Sequence, residues 1–231
     1  MSKSAGIDCR DGMPLKNGQP FHRETEKESN GSRMKKLNAI RLIKTRKRRH
    51  SKFGGKPCLP ASLGWPVSPE GRGLDFLVQI DLSEIPQGTD LPESGTLFVF
   101  YDSGKMPYSN GEDGRENYWH IMYTPETPSE VPCAPQKEEF TRIFKECFLN
   151  FKILRSSKNF TAPHHQLLGR PYWLQGSKRM PGYRLLLQLD SDWDSGPGWT
   201  WCDCGILYFF IKPADLDAGR FDKVMVMWEC C

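Results

Sequence analysis

A chain that states the same strand-forming segment twice, at one fixed spacing, is committed to an architecture before its composition is consulted. Phe76-Leu77-Val78-Gln79-Ile80-Asp81 returns 109 residues later as Leu185-Leu186-Leu187-Gln188-Leu189-Asp190, and Gly95-Thr96-Leu97-Phe98-Val99-Phe100 returns 110 residues later as Gly205-Ile206-Leu207-Tyr208-Phe209-Phe210. Gly55-Lys56-Pro57 is echoed ahead of the second copy by Gly169-Arg170-Pro171. Two such units each carry an apolar face that must be buried, so the repetition predicts similar β-units packed about a pseudo-twofold axis.

The chain has 231 residues, enough for one sizeable core. No apolar run is long enough to span a bilayer, and the N-terminus shows no secretory pattern, so the expected setting is inside the cell, without a membrane partner. The net charge of +4 conceals an asymmetry: residues 1–53 hold 15 Lys and Arg against 5 Asp and Glu, leaving 17 against 23 for the rest. Nucleic-acid binding is therefore expected only of the N-terminal arm.

Residues 1–36 are polar without a hydrophobic period and read as a disordered basic tail ahead of a single domain, 37–231, with pseudo-repeats at about 51–125 and 163–231. Leu37 to Ile43 reads as a first strand, and the basic run from Lys44 to Arg49 as its solvated end. Each unit then consists of a Gly-Pro loop and three strands: Leu74–Leu82, Gly95–Tyr101 and Trp119–Tyr123, then Leu185–Asp190, Gly205–Ile211 and Val224–Trp228. Phe140, Ile143, Phe144, Cys147, Phe148 and Phe151 recur at three- and four-residue steps behind Pro135, Glu138 and Glu139, which predicts one prominent connecting helix. The fold class expected is thus mainly β (α+β), with a mixed or antiparallel sheet.

Gln79 and Asp81 share one strand face, and Gln188 and Asp190 repeat the arrangement. Were the halves to face each other, these four side chains would line a central cleft. The plainer reading has each Gln satisfying backbone groups at a bend and each Asp capping the next turn. Lys56 and Arg170 each place a cation between Gly and Pro, a possible anion contact or a solvated turn. Trp65, Trp193, Trp199 and Trp201 lie in Gly-, Pro- and Asp-rich loops, either as a recognition rim or as plugs for the open ends of a sheet.

Eight cysteines in a chain expected inside the cell read as thiols. Cys202, Cys204, Cys230 and Cys231 lack the two-residue knuckle spacing of a zinc site, so no metal is assigned and no cofactor is expected. No nucleophile elbow, zinc helix or dinucleotide loop is present, and His120, His164-His165 and Cys58 show no spacing that ties them together.

Taken in order, Ser51 to Pro60, Trp65-Pro66, Phe76 to Leu82 and Leu91 to Leu97 resemble the N-terminal half of the YwqG-like family, a domain of unknown function. Leu168-Gly169-x-Pro171, Leu186 to Asp192, Asp203 to Ile211 and Asp215 to Phe221 resemble its C-terminal half. The resemblance covers about residues 37–231 and implies a β-roll-like fold, a bacterial cytoplasmic setting and, for relatives beside toxin systems, an immunity-like role; it supplies no catalytic residues. The functional expectation is a non-catalytic binding module with a protein partner, using Lys56, Trp65, Gln79, Asp81, Arg170, Gln188, Asp190 and Trp199. The alternative is a hydrolase or metal-dependent enzyme with Asp81, Asp190 and His120 or His164 in the cleft.

Overall fold

A computed structural model describes residues 38–109, 116–126, 128, 131–133, 141–154, 162–176 and 180–230. The tail expected over residues 1–36 and the helix start at Pro135 to Phe140 lie outside them.

Ten strands form one sheet: β1 Ala39–Thr45, β2 Lys52–Phe53, β3 Asp75–Asp81, β4 Thr96–Tyr101, β5 Trp119–Thr124, β6 Cys147–Leu154, β7 Gln166–Leu167, β8 Arg184–Asp190, β9 Ile206–Ile211 and β10 Val224–Glu229. Their order is β10-β9-β8-β7-β1-β6-β2-β3-β4-β5, and every pairing is antiparallel. Read from either end the sheet passes through a hairpin pair, a long strand and a two-residue strand before reaching the central pair β1–β6. That every pairing is antiparallel decides between the mixed and antiparallel options.

The two ends of the sheet approach each other, nearly closing it into a barrel. Beyond β4 the chain reaches the β10 edge, where Ser109 N–H donates to the Val226 carbonyl (2.7 Å) and Ser109 Oγ accepts from Val226 N–H (2.9 Å). The Trp228 indole N–H donates to the Met106 carbonyl (2.8 Å), and Arg184 of β8 pairs with Asp90 before β4 (2.8 Å).

The expected connecting helix is a strand. Cys147–Leu154 is β6, and its seven-residue register with β1, from Ala39↔Leu154 to Thr45↔Phe148, forms the middle of the sheet. Leu149 and Phe151 point inward while Asn150 and Lys152 are exposed, a two-residue alternation hidden beneath the aromatic spacing. Pairing with β1 along one edge, and with β2 at Cys147 and Phe148 on the other, satisfies backbone groups in a way that no local helical period can match. Conversely the turn expected at 213–219 contains the one α-helix among the described residues, α1 Pro213–Asp217.

The two halves match in backbone detail. In β3 the register with β4 slips between Phe76 and Val78, and in β8 the register with β9 slips between Leu185 and Leu187. Each bulge turns two successive residues inward, Leu77 with Val78 and Leu186 with Leu187, which is why the two segments read as unbroken apolar runs. Gly54 N–H donates to Leu77 O (2.9 Å), and Leu168 N–H donates to Leu186 O (3.0 Å), so each bulge is closed by its Gly-Pro loop. Both loops turn through two successive left-handed residues, Gly54-Gly55 (φ 55° and 68°) and Leu168-Gly169 (φ 55° and 76°).

One apolar cluster fills the interior of the sheet, with Ile40, Leu42, Val78, Val99, Phe151, Leu187, Phe209 and Val226 among its members. Two smaller clusters lie on the outside. Leu59, Leu74, Phe76, Phe98 and Phe100 are roofed by Leu63 and Trp65, and Leu185, Ile206, Tyr208 and Phe210 by Tyr172, Trp173 and Tyr183. Each half thus folds the segment after its Gly-Pro corner back over its own β-meander.

Candidate functional site

Gln79 and Gln188 are wholly buried, and their amides perform the same task. Gln79 Oε1 accepts from Cys58 N–H (2.8 Å) and its Nε2 donates to the His50 carbonyl (2.9 Å). Gln188 Oε1 accepts from Tyr172 N–H (2.8 Å) and its Nε2 donates to the His164 carbonyl (2.8 Å). Each Gln therefore clamps both arms of its Gly-Pro loop to the sheet. Four strands, β2, β6, β1 and β7, separate β3 from β8, and each Gln makes its contacts within its own half.

Asp81 caps the short 3-10 turn Leu82–Glu84, where its Oδ1 accepts from Ser83 N–H (3.0 Å) and Ser83 Oγ–H (2.6 Å). Asp190 differs. Burial and the neighbouring Asp192 raise its carboxyl to about 6. A carboxyl near that value suits general acid chemistry, yet it lies in the half opposite Asp81, and the structure does not bring the two acids together. Half-buried Lys56 and exposed Arg170 occupy corresponding corners in separate halves.

The tryptophans part company. Trp199 and Trp201 are interior residues: Trp199 sits against Phe53 (5.2 Å between ring centroids), Phe144 (5.5 Å) and Trp201 (5.7 Å), and its indole N–H donates to the Asp190 carbonyl (2.8 Å). Trp65 is half-buried, donating to Leu74 O (2.9 Å) with its ring edge-on to Phe100. Trp193 alone of the four is open, at 58% exposure.

The turn that carries Trp193 is pinned at its base. Lys44, on the inward-facing parity of Ile40 and Leu42 at the end of β1, reaches Asp192 Oδ2 (2.5 Å) and Ser195 Oγ (3.1 Å). His165 Nε2 lies 3.3 Å from the same Asp192 oxygen, and Asp190 N–H donates to His165 Nδ1 (3.1 Å). A backbone donor at Nδ1 requires a lone pair there, so the ring is the neutral Nε2–H tautomer; burial, which lowers the His165 pKa, acts in the same direction. His165 and Lys44 together hold Asp192 down at about 2. Both ring nitrogens are committed, and the cluster works as a stitch between β1, β7 and the turn. In the first half Ser51 Oγ, accepting from Asp81 N–H (2.9 Å), stands where His165 stands in the second. Sequence reasoning noticed the His164-His165 pair but not Lys44 or Asp192, because no local spacing joins residues 44, 165 and 192.

His120 and His164, the bases of the enzyme alternative, are lowered by burial; His164 is held by the Ala162 carbonyl (3.0 Å) and His120 sits in β5 opposite Phe100. Among the described residues no group of three or more His, Cys, Asp or Glu side chains is arranged to hold a metal ion. The cysteines bring a correction. Cys202 and Cys230, read as thiols, form a disulfide (Cα–Cα 5.8 Å), while Cys58 and Cys147 are thiols. The β9–β10 register, which sets Ile206 opposite Glu229, closes that 28-residue separation.

Fold and site together define an antiparallel, nearly closed β-protein whose repeated polar residues are spent on holding its own loops. The chain belongs to the family described as domain of unknown function DUF1963, whose profile matches residues 51–230. No curated protein matches it. Among the described residues no helix is long and apolar enough to cross a membrane.

Proposed function

We propose that this chain is a non-catalytic binding module of the YwqG-like type with a protein partner; the cytoplasmic setting and the immunity-like role toward a toxin belong to the same proposal. The observation that carries it is the Trp193 turn. Lys44, His165 and the Asp192–Trp199 backbone pairing (3.0 Å) hold the turn rigidly, and what they hold out to solvent is a large aromatic ring. An ordered, exposed Trp loses little entropy on binding, and Trp is among the residue types enriched at the energetic centres of interfaces. The enzyme alternative finds less support, since Asp81 and Asp190 lie in different halves and its bases, His120 and His164, sit in β5 and against the Ala162 carbonyl.

The test is affinity capture from native cells with the full chain, Trp193→Ala and Trp65→Ala. A stoichiometric partner retained by Trp65→Ala and lost by Trp193→Ala supports the reading. Equal retention by both variants, or turnover of a substrate by the purified chain, overturns it.

A further inference from the structure

The aromatic clusters outside β3–β4 and β8–β9 are roofed by the chain's own segments, but the outer face of the central pair β1–β6 is open. Arg41, Asn150 and Lys152 are exposed there, and Ile43 is 38% exposed. Arg41 stands directly opposite Lys152 in the register, and Ile43 opposite Asn150. Like charges facing each other across a ladder destabilise a sheet. Among the described residues neither cation makes an ion pair that would offset this, whereas nearby Lys44 and Lys52 are paired with Asp192 and Glu146. Arg49 adds a further cation, donating to Asn150 Oδ1 (3.3 Å) while also lying 3.9 Å from Glu84 Oε1, and Arg46, Lys47 and Arg48 follow on the exposed turn.

Charge decides what fits. A second copy docked through the same face would set cations against cations. Residues 1–37 carry eight Lys and Arg against five Asp and Glu and are not complementary either. A nucleic acid would satisfy the cations, but the most exposed apolar side chain of the face is the aliphatic Ile43, and its aromatic, Phe148, is half-buried at the strand end between Thr45 and Lys52, which gives a base little to stack on. An apolar centre with a charged rim is the anatomy of a protein interface. We propose that the outer face of β1–β6 docks an acidic protein segment, whose carboxylates meet Arg41, Lys152 and Arg49 and whose apolar side chain meets Ile43. This rests on the binding-module reading and names the chemistry of the partner.

The test uses the full chain and fluorescence anisotropy with three labelled probes of equal length: a peptide of Glu, Asp and Leu, its Gln, Asn and Leu counterpart, and oligo-dT. The acidic peptide is expected to bind, with affinity falling as salt rises, and about tenfold or more tighter than its neutral counterpart. Arg41→Glu with Lys152→Glu is expected to weaken it about tenfold or more. Arg41→Glu alone, which turns a like-charge pair into an ion pair, is expected to weaken binding while raising Tm by about 1–3 °C, separating lost affinity from lost fold. Unchanged affinity in the double variant overturns the proposal, as does failure of the acidic peptide to bind. Tighter binding of oligo-dT that disappears in the double variant assigns the face to nucleic acid and overturns it equally. If Trp193→Ala loses a captured partner that the charge reversals keep, the binding-module reading stands and this surface assignment falls.

Discussion

Replacing Gln79 or Gln188 by Met keeps the side-chain volume and removes both amide hydrogen bonds, so the variants isolate the loop clamp. At each site one backbone N–H and one carbonyl lose their partner; the bonds to Cys58, His50 and Tyr172 are part-buried and the bond to the His164 carbonyl is buried. An unsatisfied buried group costs about 1–3 kcal/mol, and a group partly open to water costs less, which places each variant about 1–4 kcal/mol below the parent. That is a large share of the 5–15 kcal/mol or so that holds a typical domain together. Because the two clamps match in geometry, Gln79→Met and Gln188→Met are expected to agree within about 1 kcal/mol, allowing for context. Urea denaturation followed by tryptophan fluorescence measures both. A loss below about 1 kcal/mol at either site, or a loss of partner binding with stability intact, would refute the clamp and return these residues to the candidate ligand set.

Asp190→Asn tests the raised carboxyl. A folded-state value of about 6 against an ordinary 3.8 means that the folded chain binds the extra proton between those limits, so stability falls as pH rises through them. The full shift corresponds to about 3 kcal/mol; discounted for partial exposure, the Asn variant is expected to be about 1 kcal/mol more stable than the parent at pH 7.5 and equal to it near pH 4. Urea titrations at both pH values check this, and a variant no more stable at pH 7.5 contradicts it. His165 has the opposite sign: held neutral by burial, it loses stability as pH falls below about 6.5, and the Asn variant should show that limb more clearly. Trp199→Ala, in the interior, is expected to cost about 3–5 kcal/mol by thermal or chemical denaturation, whereas Trp193→Ala changes stability by less than about 0.5 kcal/mol. Gly205→Ala is expected to yield no folded protein by circular dichroism, because a Cβ there would be driven into the Glu229 backbone carbonyl. The same change at Gly95, whose Cβ would meet the Thr124 carbonyl at 2.7 Å with φ at 94°, should have the same outcome.

The strands of both units were legible because their apolar runs are bounded by Gly and Pro, and strands joined without helices favoured antiparallel pairing while leaving a mixed sheet open. The plainer reading of the Gln and Asp residues matches the backbone contacts that Gln79, Gln188 and Asp81 make. The aromatic stripe from Phe144 to Phe151 misled because an eight-residue strand and two helical turns can share the same apolar positions, and only the partner strand distinguishes them. Trp199 and Trp193, six residues apart in one Gly-rich loop, carry no local signal of which one enters the interior. The Lys44–Asp192–His165 stitch was illegible for the same reason: its members come from three distant segments.

Local chemistry alone determined that this chain would be sheet-rich, that it would bend at Gly54-Gly55 and Leu168-Gly169, and that corresponding polar groups would recur at Gln79 and Gln188, because these depend on neighbours a few residues away. Tertiary packing decided that Cys147–Leu154 would be a strand, which tryptophan would remain in water, and that Arg41 would come to face Lys152. Those outcomes depend on pairings between residues about a hundred positions apart, and their free energy exists only once the sheet has formed.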